Sequence, residues 1–273
     1  MKKVYSMFDL SGRTAIVSGG AGLLGGEFCT TLAEAGASVV VADVDSRAAL
    51  EVAEGLKRKG YKAISHGTDV TSEISVQELI NLALQNFGKI DILVNSAAID
   101  PKFDEKEIRS NTEEFENFPL NLWHNALEVN LTGSMICCRE VSKPMLKEGK
   151  GVIINISSIY GVVGPDQRLY QEKGNLPQYK PVYYSVTKAG ILGLTRYLAT
   201  YFSGKNIRVN ALTPGGIFNG HDDGFLKRYS ARSVLDRMAE KSEMNGALLF
   251  LASDASSYMT GANLVVDGGW TAW

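Results

Sequence analysis

Cysteine is nearly absent: Cys29, Cys137 and Cys138 are the only three in 273 residues. None has metal-ligand spacing, and two adjacent cysteines in a helical stretch are badly placed to close a bridge, so all three are expected as reduced, packed thiols. Histidine is equally scarce, and no carboxylate pattern accompanies His66, His124 or His221, so no metal site is expected. Neither sign of charge dominates, with 28 basic against 30 acidic residues. Nucleic-acid binding needs a basic face, and nothing exceeds the triplet Lys57, Arg58 and Lys59, so no nucleic-acid partner is expected. Long apolar runs are missing too: none approaches the roughly 20 residues that cross a bilayer. The MKKVYSMFDLSGR start has no apolar stretch behind its lysines. The expectation is a cytoplasmic protein without a membrane partner. What is in excess is glycine, 28 of 273 residues, against an average of about 7%.

The positions of those glycines organise the chain. A strand-like TAIVS (Thr14–Ser18) runs into GGAGLLGG and a helical pattern, Gly36 stops the helix, and SVVVAD (Ser38–Asp43) follows. Alternation continues with helices over 46–59 and 76–87, strands over 62–66 and 90–95, and one long helix over 120–146. A strand over 151–157, a helix over 183–202, a strand over 207–212, helices to 252 and a strand over 263–267 complete it. Seven apolar, β-branched strands separated by helices predict an α/β doubly wound Rossmann fold, a seven-stranded parallel sheet covered on both faces, in one domain spanning 1–273. Three connections, 96–119, 158–181 and 213–231, are too long for simple turns. All leave carboxyl ends of strands, where open α/β sheets bind ligands, so the substrate pocket is expected among them.

Ser18, Gly19, Gly22, Leu23, Leu24 and Gly25 open a helix directly after a strand, which lets a pyrophosphate approach backbone amides at the helix end. Asp43 ends the second strand 18 residues past Gly25. There its carboxylate can hold both ribose hydroxyls of NAD and would repel the 2′-phosphate of NADP. No arginine directly follows it, and Arg47 is expected on the helix surface, so the cofactor is read as NAD rather than NADP. Tyr184 and Lys188, in YSVTK, share a helix face. With 11 tyrosines in the chain that spacing alone is weak, and Tyr201 with Lys205 repeats it. Position separates the two: Tyr184 starts the helix at the ligand-binding edge, and Tyr201 lies about 25 Å further along it. A phenol near pKa 10 exchanges protons near neutrality when a cation lowers it, and Lys188 with the positive charge of oxidised nicotinamide is expected to do so.

In content and order these motifs resemble the short-chain dehydrogenases/reductases of the compact classical type, over the chain from Leu10 to Gly269. The resemblance implies that Ser158, in INISS, positions the substrate oxygen and that Asn130, in VNLTG, holds a water linking Lys188 to solvent. It places Asp69 and Val70 at the adenine, Asn95 and Ala97 beside the cofactor, and Pro214, Gly215 and Ile217 along the nicotinamide. It also implies a homotetramer or homodimer. The sequence departs from the family in several places. SGGAGLLG has the glycine spacing of extended members, but their C-terminal substrate domain is not expected here, with six residues following Asp267; NSAA replaces N-N-A-G; Asn219 stands where a threonine is usual. Ser158 and Tyr184 are 26 residues apart, about twice the family's habit.

The added residues carry Asp166, Gln167, Arg168, Tyr170, Glu172, Gln178, Tyr179 and Lys180, groups that bind hydroxyls and carboxylates. His221, Asp222 and Asp223 are also candidates to face the substrate, and Phe225, Tyr229 and the terminal WTAW are expected to pack. A small polar substrate is therefore expected, a sugar, sugar acid or sugar derivative, with a subunit contact as the other reading of the loop. The SSIYGVVGPDQRLY loop and DGGWTAW terminus resemble members of bacterial surface-carbohydrate biosynthesis. The expected activity is NAD-dependent hydride transfer to or from a polar secondary alcohol. Two alternatives stay open: a 3-oxoacyl reductase-like enzyme, which should prefer NADP and a greasy loop, and a non-catalytic NAD-binding sensor, which would commonly have lost the tyrosine or lysine.

Overall fold

Runs of valine, isoleucine and alanine buried on both faces suit inner strands, and the described residues form seven strands in one parallel sheet. They are β1 (Thr14–Ser18), β2 (Ser38–Asp43), β3 (Ala63–Gly67), β4 (Ile92–Asn95), β5 (Gly151–Ile156), β6 (Ile207–Pro214) and β7 (Asn263–Val266), in spatial order β3-β2-β1-β4-β5-β6-β7. The computed structural model describes residues 3–100, 114–171 and 178–273. Its helices are α1 (Leu23–Glu34), α2 (Ser46–Arg58), α3 (Glu73–Phe87), α4 (Leu120–Leu127), α5 (Gly133–Glu148), α6 (Val182–Tyr201), α7 (Asp223–Ser230) and α8 (Asn245–Ala252). Side chains alternate across each strand, so Ala15 and Val17 join one core with Phe28, Leu32, Leu56 and Leu248. Ile16 joins the opposite core with Leu79, Ile80, Val141 and Met145. The doubly wound fold expected from the sequence is the one observed.

The differences are local. The helix expected over 120–146 is divided by a π-helical turn, Glu128–Thr132, with Asn130 buried in it. The wider turn accompanies two polar anchors: Asn130 Oδ1 accepts from Ile99 N at 2.7 Å, and Ser134 Oγ donates to the Asn130 carbonyl at 3.1 Å. α3 begins three residues earlier than its apolar pattern suggested, because Ser72 caps it by accepting from Ser75 N. All three cysteines are buried free thiols, as expected. Among the described residues no helix is long and apolar enough to cross a membrane.

Parallel strands bring all their carboxyl ends to one edge, and the connections after β4, β5 and β6 meet there. Asn130 ties down Ile99, Arg228 Nε donates to the Leu169 carbonyl at 3.0 Å, and Tyr170 packs on Phe225 with ring centroids 5.7 Å apart.

Candidate active site

The glycine turn has no room for a side chain at Gly19 or Gly25. Gly19 has φ +64°, and a Cβ there would lie 2.6 Å from Ala97 Cα; one on Gly25 would lie 1.9 Å from the Gly19 carbonyl oxygen. Gly22 is the N-cap of α1, so the amides of Leu23, Leu24 and Gly25 occupy the first turn, where helical NH groups have no intrahelical acceptor. Ser18 is buried beneath them; its hydroxyl lies 3.5 Å from both the Val94 carbonyl and the Ala97 amide, coupling the turn to the end of β4. Asp43 is pinned beside the turn, one carboxylate oxygen accepting from Ala21 N at 3.0 Å and the other from Asp45 N at 3.1 Å. Arg47 pairs instead with Glu51 on the exposed face of α2, as expected.

Further along the edge, Asp69 is exposed and accepts from Thr71 N at 2.9 Å, and Val70 is buried against Gly133. Pro214 ends β6, Gly215 is pressed on Asp267, and Ile217 bridges to Ala239. Asn95 is buried. Its Nδ2 donates to Asn155 Oδ1 at 2.9 Å, and Asn155 Nδ2 donates to Thr195 Oγ1 at 2.9 Å, a buried chain crossing β4, β5 and α6. Its own Oδ1 has no hydrogen-bond partner among the described residues.

Tyr184 lies in the first turn of α6 and Lys188 one turn later. Two bonds fasten that turn to the end of β5: Lys188 Nζ donates to the Ile156 carbonyl at 2.9 Å and Ser157 Oγ donates to the Lys188 carbonyl at 2.8 Å. Gly161 presses on the same turn, where a Cβ would meet Lys188 backbone at 2.6 Å. Ser158, whose hydroxyl accepts from Tyr160 N at 3.2 Å, thereby reaches the Tyr184 hydroxyl despite a separation of 26 positions. Asn130 completes the group by donating to Ile99 O at 3.2 Å and Thr187 Oγ1 at 3.3 Å, beside Lys188.

Burial pushes the Tyr184 phenol above its ordinary range, the negative charge of Asp100 adds to this, and the Ser158 hydroxyl acts the other way. Burial pushes Lys188 down to about 8, with Asp100 opposing and Lys180 reinforcing the change. Burial thus prevails at the tyrosine in the protein alone, and the expected lowering rests also on the positive charge of oxidised nicotinamide. The Lys188 ammonium, 5.8 Å from the ring centroid, is outweighed by desolvation.

In the inserted loop Asp166 accepts three bonds from Arg168 and pairs with Arg232, and the Gln167 side chain bonds both backbone groups of Lys180, at 2.8 and 3.2 Å. Asp166 and Gln167 thus hold the fold of the loop; Glu172 lies outside the described residues. Lys180 reaches the catalytic group, its Nζ 4.0 Å from the Tyr184 ring centroid and 2.6 Å from Asp100 Oδ1. Asp222 caps α7 by accepting from Phe225 N at 2.8 Å, and His221 stacks on Phe225 at 5.1 Å. Tyr229 and Trp270 stack at 4.3 Å, as expected of packing residues, and Tyr201 lies exposed on Tyr197. Sequence reading missed Asp100 and the Tyr160–Tyr170 hydroxyl pair at 2.8 Å. The available signal for Asp100 was its place at the start of the first long connection. Among the described residues no three histidine, cysteine or acidic side chains cluster as metal ligands.

A family model described as enoyl-(acyl carrier protein) reductase matches residues 21–271. Cis-4-hydroxycyclohexanecarboxylate dehydrogenase of Sinomonas cyclohexanicum is 37% identical over 95% of this chain and 97% of its own length. D-threitol dehydrogenase of Mycolicibacterium smegmatis is 32% identical over 97% and 95%. The crystal structure of a gluconate 5-dehydrogenase from Burkholderia cenocepacia, in complex with NADP and tartrate, superposes with a TM-score of 0.86 at 28% identity, covering 99% of this chain and 100% of that one.

Proposed function

The chain belongs to the short-chain dehydrogenase/reductase family and is an oxidoreductase of CH–OH groups, and on that premise we propose that it transfers hydride between NAD and a polar secondary alcohol, a sugar, sugar acid or related hydroxy compound. The observation that carries the reading is the convergence of Ser158, Tyr184 and Lys188 at the carboxyl edge of the sheet, along which the glycine turn and Asp43 also lie. The turn fits a dinucleotide, because the Cβ atoms that would fill it are missing and its helix-end amides suit a pyrophosphate. NAD is favoured over NADP because Asp43 is negative and Arg47 is engaged with Glu51. The NADP in the gluconate 5-dehydrogenase structure belongs to that protein.

When bound, the oxidised nicotinamide supplies the hydride acceptor and a positive charge. Ser158 would orient the carbinol oxygen, and Tyr184, as the phenolate favoured by that positive charge, would take the hydroxyl proton as the carbonyl forms. Lys188 would hold the ribose and stabilise the tyrosinate, and Asn130 holds Ile99 and Thr187 around it. The Lys180–Asp100 pair beside Tyr184 suits hydroxyl and carboxylate groups, and would leave an acyl chain against buried charge. All of this is assigned to one catalytic domain, 1–273, working as a homotetramer or homodimer. The test is a panel of 4-hydroxycyclohexanecarboxylate, gluconate, threitol and sugars followed by NADH absorbance. The reading expects turnover of at least one member and its loss, by about a hundredfold or more, in Tyr184→Phe with NAD binding retained. Retained turnover in that variant refutes it.

A further inference from the structure

The three long connections converge on a single ion pair. Lys180 Nζ donates to Asp100 Oδ1 at 2.6 Å; the lysine side chain is 9% exposed and the aspartate side chain 58%. The charge of Asp100 is felt at Tyr160 and Tyr170 after β5, at Tyr184 and Lys188 on α6, and at His221 after β6. The lysine backbone is fixed by the two-way bond with the Gln167 side chain, and its ammonium lies over the Tyr184 ring at 4.0 Å. The pair acts on Tyr184 and Lys188 through its charge and is itself neither donor nor acceptor in the proton transfer assigned above to Ser158, Tyr184 and Lys188.

We propose that Lys180 is a specificity-determining residue that anchors the carboxylate of a hydroxy-acid substrate, and that the Asp100 carboxylate holds that place until substrate displaces it. A buried ammonium is costly unless an anion completes it. Here the completing anion is the protein's own, carried on a side chain more than half exposed. The position is thus built for a carboxylate and reachable from solvent. It is also one aromatic ring from the proton-exchanging hydroxyl, so a short hydroxy acid spans both. This rests on the function proposed above and narrows its substrate class.

The experiment uses the full chain with NAD and compares 4-hydroxycyclohexanecarboxylate and gluconate with their carboxamides. The acid-to-amide ratio of kcat/KM should favour the acid in the native protein. It should fall about tenfold or more in Lys180→Met, the size of one charge-assisted hydrogen bond. Lys180→Arg should restore most of it, and Asp100→Asn, which removes the competing carboxylate, should raise it. A general disturbance of Tyr184 by these changes moves both substrates together and cancels in the ratio. A ratio unchanged in Lys180→Met, or lowered in Asp100→Asn, overturns the assignment. A binding measurement separates it from the parent reading: the acid should raise the melting temperature of the NAD-loaded native protein and not of Lys180→Met, whether or not turnover is seen. Absence of that shift in the native protein overturns the carboxylate site. Absence of turnover with every alcohol overturns the proposed function.

Discussion

Two adjacent glycines of α1 should respond oppositely to the same methyl group. A Cβ on Gly25 would sit 1.9 Å from the Gly19 carbonyl oxygen, whereas one on Gly26 would sit 3.9 Å from its nearest neighbour, the Gly20 carbonyl. Real Cβ atoms do not come within 3.0 Å, so Gly25→Ala must open the turn by at least 3.0 − 1.9 = 1.1 Å. Backbone has to move, since the obstructing atom is not the end of a flexible side chain. Overpacking of this kind costs about 1–3 kcal/mol. At this chain length that is a fall of about 2–12 °C in melting temperature. Gly26→Ala keeps ordinary contact and gains the helix preference of alanine, about 0.5–1 kcal/mol, or a rise of about 1–4 °C. The displaced amides of Leu23, Leu24 and Gly25 should also weaken NAD by about tenfold or more, a cost of about 1.4 kcal/mol. Gly26→Ala should bind NAD like the native protein. Scanning calorimetry and a fluorescence titration with NAD measure both quantities. If Gly25→Ala melts with or above Gly26→Ala and binds NAD at native affinity, the close-approach argument for this turn is wrong.

Lys188 should weaken the fold it serves. Its pKa is lowered by burial to about 8 from 10.5, so between these values the unfolded chain binds more protons and stability rises with pH. Below pH 8 the penalty is fully present, about 3 kcal/mol. Lys188→Met should accordingly be inactive yet more stable than the native protein at pH 7, by about 2 kcal/mol once the bond to Ile156 is discounted. That advantage should disappear as denaturant melts are repeated up to pH 10.5; an advantage that grows with pH contradicts the sign. Asp43→Ser removes a charge that costs a phosphate several kcal/mol at close range, so the NADP-to-NAD ratio of kcat/KM should rise by about thirtyfold or more; an unmoved ratio argues against the ribose assignment. Asp166→Asn leaves Arg232 without its carboxylate and should lower stability by about 1–2 kcal/mol in urea melts, with no change expected if the loop is held otherwise.

Short-range chemistry was readable and long-range pairing was not. The glycine turn is legible because its residues are consecutive and the steric demand is local. Tyr184 and Lys188 are legible because helical spacing puts them on one face. Ser158 needed the family resemblance, since only the bonds from Ser157 and Lys188 across β5 and α6 show how the 26 positions are spanned. The Lys180–Asp100 pair joins residues 80 apart, and no period or motif connects them. The polar loop residues divide in a way that no pattern announces: Asp166 bonds Arg168 and Arg232, Gln167 bonds the Lys180 backbone, and a sequence does not reveal which polar groups are already satisfied. The resemblance to surface-carbohydrate members drew on that loop and on the terminus, and both answer to packing, through Asp166 with Arg232 and Tyr229 with Trp270. Asn95 and the π turn at Asn130 likewise depend on partners from distant strands.

The fastening of β5 to α6 has a consequence for how such an enzyme changes. Ser157, Ile156 and Gly161 grip Lys188 from one side, and Pro181 starts α6 on the other, so the residues between leave and re-enter the scaffold at two fixed posts. Their number and content can vary without altering the distance from Ser158 to Tyr184. A loop from a relative of different length is therefore a graftable cassette: exchanging 162–180 should transplant substrate choice while the proton-transfer machinery stays where the sheet holds it.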